Sequence, residues 1–475
     1  MSLSFRDPAG RVVSTEHRIL RLVTDLQAAS SIQAVLGLDA VRRAVEEGRL
    51  VHTRVLSAEE AARIPAAGGA GPAPVVVLEH ERIPFPSYPY EWPPEMLLAA
   101  GRLTLDLAVN LLPEGFGLKD ATPYNVLYRG PNPVFIDLLS LEPREPRDPT
   151  WRAYAQFSRT FLSPLLAHRA FGLRLDTLLM TRRDGLEPEE LYRLAGPLRR
   201  LTPAFLALAT MPTWLARLRR GNPDPIYAPR TLRSVEQAQF VLSSILRGLR
   251  RRLDRLEPPR GSRSAWSAYE TESRYTERDR EAKDDFVRTA LRQHQPSSVL
   301  DLGCNTGRYS LLAAAGGARV VAADADGVVV GELWRRAREE HRDVLPLVVD
   351  LARPSPALGW RYGEHASFLD RARGSFDMVL MLALLHHLSV GEGVPFVEVA
   401  RLASDLTRDL LVIEHVEPSD PQFHRLARGR DGLFAGLDRP AFEAAFAPHF
   451  QSLRAEKLPD APRSLHLLRR RVRNP

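Results

Sequence analysis

The 475 residues contain a single cysteine, Cys304. An internal disulfide and any cysteine-clustered zinc or iron–sulfur site are thereby excluded, and a reducing, cytoplasmic setting is expected. Lysine is nearly missing: of 65 basic residues only Lys119, Lys283 and Lys457 are not arginine. No apolar run reaches the roughly 18 residues that span a bilayer, so no membrane span is expected. The first twenty residues mix charges with a Pro-Ala-Gly turn where a signal peptide needs a continuous apolar stretch, and secretion by that route is not expected. Neither an internal repeat nor a low-complexity tract is visible.

What remains is an ordinary globular composition, 44% hydrophobic and 26% charged, with length enough for two or three cores. The net charge of +7 invites a nucleic-acid reading. The arginine surplus comes with abundant Ala, Gly and Pro, which points to compositional bias, and nucleic acid is not the expected partner.

The clearest break in texture is Leu256-Glu-Pro-Pro-Arg-Gly-Ser-Arg-Ser264, where prolines, glycine and serines interrupt helical periodicity. It divides the chain into an accessory domain over 1–255, a linker over 256–265 and a second domain over 266–475. A second break, Ala66–Pro74, reads as a surface loop. Before the linker, helices are expected over Pro94–Leu112, Trp151–Leu173 and Thr231–Leu256, and strands over Leu50–Leu56 and Val75–Leu78. After it, apolar runs alternate with helical segments: Ser298–Asp301, Arg319–Asp324, Leu345–Asp350, Phe376–Met381 and Leu410–Glu414. Several end in an acid, as strands of a parallel sheet covered on both faces do. Phe450–Lys457 and Ser464–Leu468 then read as a hairpin giving that sheet an antiparallel edge. The fold class is therefore α/β: a carboxy-terminal, Rossmann-like doubly wound sheet with an antiparallel final hairpin, preceded by an α+β, helix-rich domain.

The most specific signal is Val299-Leu-Asp-Leu-Gly-Cys-Asn-Thr-Gly-Arg-Tyr-Ser310. A buried strand runs into a turn with Gly303 and Gly307 and then a helix, so backbone can approach a ligand where side chains would collide. The next strand ends at Asp324, at a spacing where a carboxylate binds both hydroxyls of a ribose. The Gly-x-Gly-x-x-Gly spacing of a dinucleotide-binding oxidoreductase is not present.

Over about 266–475 these residues resemble the class I S-adenosylmethionine-dependent methyltransferases. The resemblance implies S-adenosyl-L-methionine as cofactor, with Asp301, Gly303, Cys304, Asn305 and Gly307 around its methionine part. It also implies Asp324 on the ribose, with Asp326 as the alternative, and Asp350 and Leu351 beside the adenine. Strand four runs into Ala383-Leu-Leu-His-His-Leu388, at the carboxyl edge where ligands of open α/β sheets sit. His387 or His386 is a candidate general base, with Glu414 next in line, since methyl transfer needs alignment and removal of one proton. Two histidines alone rarely make a metal site, and no metal is expected even with Glu414 and His415 nearby. Upstream, Trp266–Tyr275 is aromatic enough to cover a cofactor, with Tyr275 the favoured contact.

In the amino-terminal half, Leu118-Lys-Asp-Ala-Thr-Pro-Tyr-Asn-Val-Leu-Tyr128 and then Val134-Phe-Ile-Asp137 resemble the catalytic loop and metal-binding acid of protein-kinase-like phosphotransferases. Asp120, Asn125 and Asp137 stand at the matching positions. The usual His-Arg before the acid, the Phe-Gly after the second acid and the glycine-rich phosphate loop are lacking, and no lysine precedes Lys119. Arg54, followed by Glu59 and Glu60, is the candidate substitute, and the expected domain is degenerate. Together with Trp151-x-x-Tyr-x-Gln-Phe157, Ile413–Asp420 and Arg430–Phe434, these stretches resemble bacterial methyltransferases of a host-specific nodulation type. The resulting expectation is a methyltransferase for a small-molecule, glycan or peptide-like acceptor, whose first domain recognises substrate or a protein partner. Its rivals are a bifunctional kinase and methyltransferase, an RNA methyltransferase, and a non-catalytic binding protein stabilised by the cofactor.

Overall fold

The computed structural model describes the chain apart from residues 1–2, 5–6, 16, 65–72, 219–230, 263, 265–274 and 472–475. Most of the Ala66–Pro74 break, part of the linker and the aromatic stretch from Trp266 to Arg274 lie outside the described residues. Contacts divide the chain into two compact units: Met1–Pro259 with Leu358–His365, and Arg260–Ala357 with Ala366–Pro475.

The first unit opens with a five-stranded antiparallel sheet in the order β1-β2-β3-β5-β4, from Leu3–Ser4, Gly10–Ser14, Ile19–Val23, Thr53–Val55 and Val76–His80 as β1 to β5. Alternation of apolar residues buries Val13, Leu20, Leu22 and Val77 on one face. Two helices, Leu26–Gly37 and Asp39–Glu46, lie between β3 and β4. The helix Pro94–Leu111 follows, with proline at its first position. With the turn to Glu114 it is long and apolar enough, by length and composition alone, to cross a membrane, and 72% of that window is buried inside the protein as in a core helix. Helix Val235–Asp254, capped by Ser234 on the Gln237 N–H at 3.2 Å, packs against it. Gly101 permits the crossing, because a Cβ there would stand 3.0 Å from Leu253 and 3.2 Å from Phe161. Between the two helices run β6 (Phe116–Leu118), β7 (Val126–Arg129), β8 (Asn132–Phe135) and β9 (Leu141–Pro143), paired β6 with β9 and β7 with β8. The helix expected over Trp151–Leu173 starts at Tyr154 and is wound as a π-helix over Ser158–Leu162 before continuing to Phe171.

The segment Leu358–His365 lies far along the chain yet packs into this unit. His365 stacks between Tyr88 and Tyr124, with ring centroids 4.4 and 5.1 Å away. Glu364 pairs with Arg183 at 3.2 Å and accepts the Trp360 N–H at 3.0 Å. Gly359, at φ 90°, leaves no room for a side chain: a Cβ would fall 2.1 Å from the Glu364 carboxylate.

The second unit is a seven-stranded sheet in the order β12-β11-β10-β13-β14-β16-β15. Strands β10 (Ser298–Leu302), β11 (Arg319–Asp324), β12 (Val344–Val348), β13 (Phe376–Met381) and β14 (Thr407–Val416) are parallel, and β15 (Phe450–Lys457) and β16 (Arg463–Arg470) run antiparallel. Every residue of β10 and β12 is buried, the consequence of helices on both faces. Strand β14 outgrows its expected length because β13 and β16 pair it on both sides. Strand β12 ends at Val348, which leaves Asp350 beyond its tip.

Candidate functional site

The carboxyl ends of β10, β11 and β13 form one edge of the second sheet, and the loop after β10 is bent to fit it. Gly303, Asn305 and Gly307 have φ of 73°, 49° and 82°. At Gly307 a Cβ would lie 2.1 Å from the Leu333 side chain, so no other residue fits without displacing that buried leucine. Gly303 and Cys304 both donate to the Ala323 carbonyl, at 2.8 and 3.2 Å, tying the loop to β11. The Asp324 carboxylate accepts the Asn305 N–H at 2.9 Å and the Asp326 N–H at 3.0 Å. Burial pushes its pKa up against those two bonds. Asp326 has a different duty: it accepts the Val328 N–H at 2.9 Å and caps the helix Gly327–Glu339. Asp301 is buried and receives the Ser310 hydroxyl at 2.6 Å, with its pKa pushed up to about 6 by burial. Burial also raises the Cys304 thiol well above its ordinary value, reinforced by Asp324 and Asp301, so it is no nucleophile. Val349 N–H bonds to Asp324 O at 2.8 Å, which brings Asp350 and Leu351 beside the tip of β11. Asp350 itself accepts the Ala352 N–H at 3.0 Å and pairs with Arg353 at 3.1 Å.

The exit of β13 adjoins this loop: the Leu384 side chain stands 3.3 Å from where a Gly303 Cβ would be. Ala383 takes φ 54°, a strained conformation for a residue with a side chain. The rings of His386 and His387 lie 4.2 Å apart. His386 is 3% exposed, and neither ring nitrogen has a hydrogen-bond partner among the described residues. Burial holds both imidazoles neutral, His386 far below its ordinary pKa and His387 at about 4, with Arg463 adding to the effect on each.

Beside them is a buried charge cluster that the sequence reading does not assemble. Lys283, on the helix Glu277–His294, reaches Glu414 at 2.7 Å. The Tyr275 hydroxyl donates to Glu414 at 2.6 Å and accepts from Arg463. Arg463 in turn pairs with Asp420 at 2.7 Å. Burial alone would raise the Glu414 carboxyl, but Lys283 and Arg463 hold it below the usual range. Glu414 thus accepts from two donors and faces two cations, which favour its ionised form. His415 is also spoken for, with Nε2 on the Leu437 carbonyl at 3.1 Å. Among the described residues no three His, Cys, Asp or Glu side chains gather as a metal site requires.

In the first unit, the Asn125 amide donates to the Ser140 hydroxyl at 3.1 Å and that hydroxyl to Asp137. Arg21 on β3 pairs with Asp137 at 2.7 Å and with Asp7 at 3.2 Å. Arg54 pairs with Glu60 at 2.8 Å, one of the two acids expected beside it, and with Glu79 at 2.5 Å. Burial raises the pKa of Asp120, and the Asp137 carboxylate adds to the effect.

A family model described as a methyltransferase domain matches residues 275–447. With the strand order and glycine-bent loop above, this makes the second unit a class I methyltransferase that uses S-adenosyl-L-methionine. Over 468 residues, 98% of this chain and 95% of its relative, the sequence is 30% identical to the nodulation protein NoeA of Rhizobium meliloti (strain 1021), and the chain belongs to that family. Solved structures with similarity include magnesium protoporphyrin IX methyltransferase of Synechocystis PCC 6803 with bound SAH (21% identity, 41% of this chain and 84% of that one, TM-score 0.30). The N-methyltransferase NodS of Bradyrhizobium japonicum WM9 (14%, 40% and 96%, TM-score 0.30) and the bifunctional kinase-methyltransferase WbdD (20%, 43% and 42%, TM-score 0.31) are others. Likeness at these TM-scores carries nothing about substrate. The residues at the sheet edge fit the cofactor in one respect: the buried Thr306 hydroxyl has no partner among the described residues.

Proposed function

We propose that the chain methylates a small-molecule, glycan or peptide-like acceptor at the carboxyl edge of the second sheet, with residues 266–475 as the catalytic domain. The observation that carries this is Leu384 adjoining Gly303 of the bent loop, with His386, unpartnered among the described residues, and His387 following it in the chain. Asp324 would hold the ribose hydroxyls, the 303–307 backbone the methionine part, and Asp350 and Leu351 would flank the adenine. Bound there, S-adenosylmethionine supplies a methyl group already activated by its sulfonium. The protein's remaining tasks are alignment and acceptance of the acceptor's proton. His387 is the candidate to take that proton, and burial keeps its imidazole neutral, with a pKa of about 4. Lys283, Glu414, Tyr275 and Arg463 fix the base of the site by mutual neutralisation.

The first unit is read as a degenerate kinase-like accessory domain over 1–255 that selects the substrate or a partner. Support comes from Arg21, which sits on β3, the strand that carries the phosphate-pairing lysine in protein kinases, and lies within an ion pair of Asp137. That pair occupies the carboxylate that magnesium would require, so phosphotransfer is not part of the proposal. The test is a comparison of metabolites and glycans from cells with and without the gene, followed by transfer of labelled methyl from the cofactor to the species that differs. A product heavier by one methylene, lost without the gene, is the expected result; no methylated species in any fraction would leave the binding-protein reading standing.

A further inference from the structure

In the first unit, the helices Pro188–Leu194, Pro197–Arg200 and Met211–Leu218 share a small core of Leu191, Ala195, Phe205, Leu208 and Ala209. Tyr192 joins them, with Arg200 and Arg217 over its ring at 4.0 and 5.3 Å and Trp214 Nε1 on its hydroxyl at 3.4 Å. Their outer side is apolar: Leu198 is 86% exposed, Leu218 81% and Leu201 61%, with Met211, Trp214 and Leu215 about half exposed. One exposed leucine needs no explanation; a concentration of large apolar side chains on neighbouring helices does.

The charges around this face are mostly arginine, with Glu189 lining the same hollow as Arg193 and Arg217. Arg193, Arg199 and Arg200 bond the backbone carbonyls of Glu189, Ala170 and Tyr192, at 3.3, 2.7 and 3.0 Å, and Arg217 rests on Tyr192. None of the four forms an ion pair among the described residues. At the margin of the same helices the pattern is different, with Arg182 on Glu190 and Arg159 on Glu187.

We propose that this face docks on the surface of a bilayer containing anionic phospholipid. Leu198, Leu201 and Leu218 would enter the boundary between headgroups and acyl chains, Trp214 would lie at headgroup level, and the four guanidinium groups would meet lipid phosphates. Charge complementarity selects this occupant. A second copy of the chain would set unpaired arginines against one another across a two-fold interface. A folded protein partner would need pockets shaped to leucines that project almost fully, whereas a fluid bilayer accepts them as they stand.

The experiment is flotation of the full-length protein with vesicles of phosphatidylcholine alone or mixed with phosphatidylglycerol, at low and at raised salt. The protein should float with the anionic vesicles, less so as salt screens the arginines, and far less with phosphatidylcholine alone. Leu198→Ser with Leu218→Ser should lower partitioning about tenfold or more, and Arg199→Glu with Arg217→Glu should abolish the preference for phosphatidylglycerol. All are surface changes, and far-UV circular dichroism with cofactor affinity checks that the variants stay folded. Absence of flotation with either vesicle, or flotation unchanged in the leucine variant, overturns the proposal. So does a parent dimer that the leucine variant converts to monomer by mass photometry, which would make this face an interface between copies.

Discussion

Asp324 already accepts two backbone N–H groups, and an ionised carboxylate has lone pairs left for a diol. Hydrogen bonds to a charged group contribute about 1.5–3 kcal/mol each, so Asp324→Ala should weaken cofactor binding roughly tenfold or more in calorimetry. Unchanged affinity in a folded variant would move the ribose contact elsewhere. His387 gives the second test. Its pKa of about 4 means the proton-accepting form predominates at all pH values above that point. Single-turnover methyl transfer at saturating substrates should therefore be flat from neutral pH downward and fall only on approach to pH 4. His387→Ala should lose about a hundredfold to ten-thousandfold in rate with cofactor affinity little changed. Parent-like rates and pH profiles in both His386→Ala and His387→Ala would leave alignment alone as the source of catalysis.

Among elements, the helix Glu277–His294 is bound to β14 and β16 by charge rather than by apolar packing alone, through Lys283, Glu414 and Arg463. Lys283→Met strands part of a fully buried carboxylate, and breaking such a pair typically costs about 3–5 kcal/mol, somewhat less here because Arg463 remains. Glu414 has a depressed pKa in the fold, so its stabilisation is present above the unfolded value of about 4.3 and is lost as pH falls through the lower folded one. Urea titrations should therefore show the largest penalty at neutral pH, shrinking in acid, with partial recovery in Lys283→Met/Glu414→Gln. An equal penalty at all pH values would assign the effect to lost packing. The parallel strands of this sheet were legible because burial writes them as apolar runs, whereas β15 of the final hairpin is mostly exposed. The cluster was not legible, because Lys283 and Glu414 are 131 residues apart and neither position looks unusual alone. For the same reason the pair of Arg21 with Asp137, far apart in the chain, is not visible in the sequence.

At the scale of the whole molecule, the accessory reading of the first unit predicts that Asp137→Asn leaves methyl transfer near the parent level and that the parent turns over no ATP. Replacing the acid removes one partner of Arg21 and keeps Asp7 as the other, so the unit should remain folded. ATP-dependent phosphorylation of a copurifying substrate, abolished by Asp137→Asn, would establish the bifunctional alternative.

The segment Leu358–His365 bears on how such a chain can be made. The first unit is discontinuous, so during synthesis Tyr88 and Tyr124 leave the ribosome long before the ring of His365 that stacks between them. Strands β10, β11 and β12 emerge in the interval. The amino-terminal unit therefore cannot finish folding until nearly half of the methyltransferase sheet has been translated, and a fragment ending at the linker would lack the ring that stacks on Tyr88 and Tyr124.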